Sequence, residues 1–135
     1  MRDLDPLADF DLADQVAGVS SELLRFRVRH RQSLSAVQRR RLEQAETELD
    51  RTTARLRGRG ASSLAALTEG ALQELQAATA GSQALLRRIR RTERALQLAA
   101  AVIALGAAAA RGRPDELLSA LRALKGALSQ GAASG

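Results

Sequence analysis

An uncharged run of sixteen residues, Ala95–Ala110, constrains this chain more than any other feature of its sequence. Alanine and leucine, both strong helix formers, make up most of the run, and its length is far beyond that of an ordinary strand. The run therefore predicts a helix. Because its large aliphatic residues point to different sides, this helix must be buried in a core, an interface or a membrane.

The length of the run and the charges beside it bear on whether it is buried in protein or in a bilayer. A membrane-spanning helix needs about 20 apolar residues. A longer segment here would bring Arg94 or Arg111 toward the bilayer, where arginine is costly. We therefore expect a buried helix of a soluble protein. Membrane association is the alternative, with residues 95–110 inserted and the flanking arginines at anionic headgroups.

The same run predicts a protein partner. Small residues recur at every fourth position, which lets a neighbouring helix approach closely. A chain of 135 residues has few other elements with which to cover the run. We expect a non-enzymatic helical interaction or assembly protein, either a homo-oligomer or a small subunit of a larger complex. The expected partner interface comprises Leu96, Leu98, Ala100, Val102, Ile103, Ala104, Leu105 and Ala108.

Positive charge is concentrated in two other stretches. The net charge is +6, and all but one of the basic residues are arginine. Residues 23–59 and 87–94 are strongly basic, whereas residues 1–22 are acidic. Nucleic-acid binding is the weaker alternative, because acidic residues are interleaved with the first stretch and its only aromatic residue is Phe26. The predicted basic patch, on one side of a helix, consists of Arg87, Arg90, Arg91 and Arg94.

Nothing in the sequence points to catalysis or to metal binding. The chain has no cysteine, and His30 is its one histidine, so thiol chemistry and cysteine zinc sites are excluded. No glycine-rich phosphate loop follows a strand. We predict no enzymatic activity, no cofactor, no metal and no small-molecule substrate. Because the acidic N-terminus lacks the basic start of a secretory signal, we expect a cytoplasmic protein.

Glycine, proline and capping residues predict how the chain divides into helices. The pattern predicts an all-α fold, an antiparallel helical bundle or long helical hairpin of four to five helices. Residues 1–130 are expected to form one domain, with 114–129 folding back on the apolar run, and 131–135 a flexible tail. The predicted helices begin at Asp5-Pro6, at Ser20 or Ser21, at Ser62 or Ser63 and at Pro114. The first ends at Gly18, the second runs to Arg57, and the third runs toward Arg111 with a break or kink at Gly81-Ser82.

One segment, Leu24–Arg31, alternates apolar and basic residues as a strand does. We nevertheless expect it to be helical, because no other segment offers a strand with which its backbone could pair. On that helix His30 falls on the apolar side, which predicts a position at the edge of the core.

Overall fold

The computed structural model describes residues 10–59 and 64–134. Helices dominate both ranges and neither range contains a strand, which confirms the predicted all-α helical bundle. The helices are α1 (Leu12–Arg29), α2 (Ala36–Arg59), α3 (Glu69–Arg88), α4 (Thr92–Ala110) and α5 (Pro114–Ser134).

The helices pack side by side around α4. This helix contacts α1, α2 and α5, and α3 joins α1 to α5 on the other side of the bundle. Arg41 near the start of α2 pairs with Glu93 at the start of α4, and Thr52 farther along α2 meets Gly106 farther along α4, so these two helices run parallel. After a turn in which Gly112 has a φ of 72°, α5 returns along α4.

The apolar run 95–110 forms the centre of the bundle. Leu98, Val102 and Leu105 are each no more than 2% exposed and belong to one core cluster with aliphatic residues of the other helices. Full burial of such side chains contributes about 1.5–3 kcal/mol each. The predicted packing of residues 114–129 on the run is confirmed by the contact between α4 and α5. The chain therefore covers this side of the run with its own helices.

The helix boundaries inside the chain differ from those predicted. Gly18 lies inside α1 and Gly81-Ser82 lies inside α3, so neither site ends a helix. The helix predicted from Ser20 or Ser21 to Arg57 is interrupted at residues 30–35. The break predicted at Gly81-Ser82 lies at residues 89–91 instead. A glycine inside a helix costs only about 1 kcal/mol relative to alanine, an amount that packing can offset.

The turn between α1 and α2 is stabilised by a reciprocal cap. The backbone N–H of Gln38 donates to Ser35 Oγ at 3.0 Å, and the backbone N–H of Ser35 donates to Gln38 Oε1 at 2.9 Å. This capping box satisfies two donors that have no partner inside the helix, and it starts α2 at Ala36. The chain can then run back along α1.

Three other predictions concern the ends of elements. The alternating segment is helical through Arg29, as predicted, and α1 ends with His30 as its C-cap. α5 extends through Ser134, into the tail that the sequence predicts to be flexible. The predicted helix starts at Asp5-Pro6 and at Ser62 or Ser63 lie outside the described residues.

Candidate interaction surface

Half of the predicted partner interface lies in the core of the chain. Leu98, Val102, Leu105 and Ala108 are each no more than 2% exposed. They are buried because the neighbouring helices of the same chain pack on their side of α4. This finding corrects the predicted interface, since these four residues are inaccessible to a partner of the folded chain.

The other four residues of the predicted interface lie on the opposite side of α4. Ala100 and Ala104 are exposed, whereas Leu96 and Ile103 are half-buried. We refer to these four residues as the outward face of α4. The face carries no charge, but two of its four side chains are single methyl groups, so it exposes little apolar area.

The turn joining α1 to α2 and the turn joining α3 to α4 lie at the same end of the bundle. Arg29 Nη2, at the end of α1, donates to the carbonyl oxygen of Leu86 near the end of α3 at 3.1 Å. Arg41 Nη1, near the start of α2, lies 2.8 Å from Glu93 Oε1 at the start of α4. These contacts bring together two basic stretches that are far apart in the sequence.

Arginine is concentrated at this end. Twelve of the twenty arginines of the chain lie in residues 25–41 and 87–94, and those two ranges contain a single acidic residue. We refer to the part of the molecule formed by these ranges as the basic end. At the opposite end charges are balanced more closely, as where Arg57 pairs with Asp14 at 3.2 Å. The positive charge is therefore distributed unevenly along the bundle.

The predicted basic patch is part of the basic end, but two of its arginines are already engaged. Arg87 Nε lies 2.8 Å from the carboxylate of Glu22, which is 3% exposed and lies 3.0 Å from Arg25 Nη1 as well. This carboxylate therefore ties α3 to α1. Arg94 is half-buried and takes part in an interaction of its own. The two remaining members, Arg90 and Arg91, are exposed.

Five exposed arginines of the basic end make no ion pair and no side-chain hydrogen bond within the described part of the chain. Three of them are not part of the predicted patch: Arg88 is its neighbour in the sequence, whereas Arg39 and Arg40 are brought near it only by the fold. Their guanidinium groups are open to an external anion. They lie near the start of α2, at the end of α3 and in the turn before α4: Arg39, Arg40, Arg88, Arg90 and Arg91.

The arginines near the starts of α2 and α4 reduce helix stability. α2 has no acidic residue in its first turn, and α4 has Arg91 as its N-cap, without a side-chain hydrogen bond to the helix. A helix N-terminus carries partial positive charge and favours Asp, Ser or Thr as its cap, which contributes about 1 kcal/mol. α2 is capped by Ser35 and α4 has Glu93 in its first turn, so the clearest departure is Arg91 at the N-cap of α4. Residues that break a local rule are expected at functional sites. This departure marks the basic end as a candidate site.

Exposed aliphatic side chains accompany these arginines. Leu24 and Val28 lie one turn apart on α1 and are 43% and 47% exposed, and Val37 in the first turn of α2 is 56% exposed. In the residues that the structure describes, the one other large aliphatic side chain classed as exposed is Leu118 of α5, at 36%. Val28 and Val37 belong to the basic end and Leu24 directly precedes it in the sequence, so positive charge and accessible apolar groups occur together there.

His30 lies at the edge of the core at this end, as predicted. Its ring packs on Phe26 with 4.4 Å between the ring centroids, and its buried Nε2 has no hydrogen-bond partner in the described part of the chain. Burial, and after it the positive charges of Arg29 and Arg90, lower the pKa of His30 below its ordinary value of 6.5. The imidazole is therefore neutral near pH 7 and adds no charge to the basic end.

Within residues 10–59 and 64–134, no group of three or more His, Asp or Glu side chains could hold a metal ion. α4 is the one described helix that could cross a membrane by length and composition, and 44% of its most apolar window is buried inside the bundle. Comparison with family models, with curated proteins and with solved structures gives no match.

Proposed function

We propose that this protein is a non-enzymatic interaction protein that binds a phosphate-bearing anionic partner through its basic end. One observation carries the proposal: five exposed arginines from three segments lie at one end of the bundle without internal partners. Arginine suits such a partner, because its planar guanidinium donates two parallel hydrogen bonds to phosphate oxygens.

The absence of internal partners matters for the energy of binding. Arg27 also belongs to the basic end, but its Nε donates to Glu46 at 2.7 Å, and this hydrogen bond raises the pKa of Arg27. Such a residue must give up an existing contact before it binds an external anion. An unpaired arginine has no such cost, and each phosphate that it neutralises releases counterions, so the affinity depends on salt.

The proposal is tested with long-chain inorganic polyphosphate, which presents phosphates without bases or lipid. We expect binding that weakens steeply with salt. The variant Arg90→Gln/Arg91→Gln removes two contacts, so the slope of log affinity against log salt concentration should become shallower by about two. The matched control Arg55→Gln/Arg122→Gln removes the same charge from exposed arginines outside the basic end and should keep the wild-type slope.

Two results would contradict this proposal. Equal losses of affinity in the two double variants would mean that net charge alone governs binding, without a defined site. A wild-type chain that fails to bind polyphosphate at low salt would exclude the basic end as a phosphate-binding surface.

Self-assembly is a second candidate function, and the outward face of α4 supports it. Ala100 and Ala104 are small enough for α4 of a second copy to approach closely, with Leu96 and Ile103 beside them. This retains the predicted homo-oligomer with a smaller interface.

Light scattering without detergent tests self-assembly. Ala104→Glu places a charge on the outward face of α4 and should convert the oligomer to a monomer. Ala123→Glu, on the exposed side of α5, is the matched control and should leave the mass unchanged. A wild-type chain that is monomeric at high concentration would exclude this second function.

A further inference from the structure

We infer that the anionic partner is the surface of an anionic lipid bilayer, with Leu24, Val28 and Val37 placed among the lipid headgroups. The inference rests on the proposed function and extends it by naming the partner. It follows from the occurrence of two features at one end of the bundle: arginines without internal partners and exposed aliphatic side chains.

The exposed aliphatic side chains favour a lipid partner. Leu24 and Val28 lie on the same side of α1, since residues four apart are neighbours on a helix surface. Val37 is the second residue of α2, on the far side of the turn that joins the two helices. Leu and Val side chains make no favourable contact with phosphate groups, and their exposure to water is unfavourable. The boundary between lipid headgroups and acyl chains accommodates these side chains.

The arginines are suited to the same boundary. Long basic side chains lay their methylene stems along apolar surroundings while the guanidinium stays with phosphates and water. Arg25 lies between Leu24 and Val28 in the sequence, Arg31 follows Val28 by three residues, and Arg39 and Arg40 follow Val37 closely. Arg25 pairs with Glu22 and Arg31 donates to the Val28 carbonyl oxygen, whereas Arg39 and Arg40 have no internal partner in the described part of the chain. Positive and apolar groups therefore occur together at this end of the bundle, and interfacial membrane-binding helices also combine the two.

The same surface is poorly suited to nucleic acid. Single strands are bound largely by stacking bases on exposed aromatic rings, but the chain has no Trp or Tyr and Phe26 is 0% exposed. Duplexes are bound through phosphates and the polar edges of bases, to which Leu24 and Val28 would contribute little. A bilayer engages both the charges and the aliphatic groups.

Binding at the bilayer surface also leaves the bundle intact. Insertion of residues 95–110 would require Leu98, Val102 and Leu105 to leave the core, where they are each no more than 2% exposed. The aliphatic residues of the basic end are accessible without any change of fold. We therefore assign the bilayer contact to the basic end and not to α4.

Fluorescence provides the test, because the natural chain has no Trp and no Tyr. Val28→Trp places one Trp at the basic end, and Leu118→Trp places one at an exposed position of α5 as the matched control. With vesicles of equal parts phosphatidylserine and phosphatidylcholine, we expect Val28→Trp emission to shift to shorter wavelength and to strengthen. Leu118→Trp should not respond, and neither variant should respond to vesicles of phosphatidylcholine alone.

Vesicle sedimentation measures the strength of binding with variants that change one feature at a time. Arg90→Gln/Arg91→Gln should lower partitioning about thirtyfold, which is about fivefold for each arginine. Leu24→Gln/Val28→Gln retains every charge and should lower partitioning at least about tenfold. Leu118→Gln is its control and should bind as the wild type does.

The outcomes separate this inference from the proposed function. Polyphosphate binding without any vesicle response of Val28→Trp would overturn the lipid inference and leave the proposed function standing. Tighter binding to duplex or single-stranded RNA than to anionic vesicles at equal salt would overturn it in favour of nucleic acid. Wild-type vesicle binding by Leu24→Gln/Val28→Gln would overturn it too, because charge alone would then suffice. A wild-type chain that binds neither polyphosphate nor anionic vesicles would overturn both proposals.

Discussion

Thr52 of α2 lies directly over Gly106 of α4, and its γ-methyl group would overlap a Cβ built at residue 106. Thr52 is 2% exposed, and its hydroxyl donates to the Glu48 carbonyl oxygen at 2.8 Å, which holds the side chain in place. The two helices can approach this closely because residue 106 is a glycine. At this position a small residue of the apolar run allows close packing between two helices of the same chain.

Gly106→Ala should therefore destabilise the protein. Alanine improves the intrinsic helix propensity by about 1 kcal/mol, but overpacking against Thr52 costs about 1–3 kcal/mol, and Thr52 is too rigid and too buried to move away. Gly126→Ala is the matched control, because no heavy atom lies within 4 Å of a Cβ there. It should stabilise the protein by about 0.5–1 kcal/mol. Urea unfolding measures both changes, and equal stabilisation by the two substitutions would refute close α2–α4 packing.

Arg91→Ser should make the protein more stable while weakening its binding to anions. Serine at the N-cap of α4 can accept a backbone hydrogen bond that Arg91 cannot, which contributes about 1 kcal/mol, and the positive charge at the helix N-terminus is removed. Arg88→Ser removes the same charge from the last turn of α3, where that charge is favourable, and should not stabilise. Thermal melting and polyphosphate affinity are the measurements. A lower melting temperature for Arg91→Ser would contradict a destabilising effect of Arg91 at the N-cap of α4.

Stability should decrease as the pH falls through the titration range of His30. Burial first, and then Arg29 and Arg90, hold the pKa of His30 in the folded chain below its ordinary value of 6.5. The unfolded chain then binds the proton at a higher pH than the folded chain does. The free energy of unfolding is therefore greatest above pH 6.5 and declines as the pH falls to the folded-state pKa, below which this group causes no further loss.

The measurement is urea unfolding at a series of pH values for the wild type and for His30→Gln, which has no group that titrates in this range. The wild-type free energy should decline more steeply between neutral pH and about pH 5. Identical slopes for the two proteins would mean that His30 does not couple protonation to folding.

The sequence predicts that Ala95–Ala110 is a buried helix, but it does not predict what covers that helix. Helix propensity and the absence of charge are local properties and can be read directly. Leu98 and Val102 have the same sequence neighbours whether they face α2 of their own chain or a helix of another chain. Whether the helices that bury this run belong to the same chain or to another depends on tertiary packing. This explains why the predicted interface included core residues.

Which arginines lie together in the folded chain depends on where the turns between helices fall, and the sequence indicates those positions incompletely. The real breaks, at residues 30–35 and 89–91, contain neither glycine nor proline. The first could have been found from the capping box at Ser35 and Gln38, whereas the second has no side-chain cap. Because these two turns determine which arginines meet, the sequence predicted a patch within residues 87–94 but not its extension to Arg39 and Arg40.

The central claim is that the apolar run is the internal core of a single chain, and a pair of aspartate substitutions tests it most directly. Val102 is 0% exposed and Ala104, two residues away, is exposed. Urea unfolding should show that Val102→Asp loses about 4 kcal/mol or more, because it buries an unpaired charge. Ala104→Asp should lose less than about 1 kcal/mol, the difference in helix propensity. A Val102→Asp chain that folds as stably as the wild type would contradict the claim. It would indicate that the run is buried in an interface or a membrane instead.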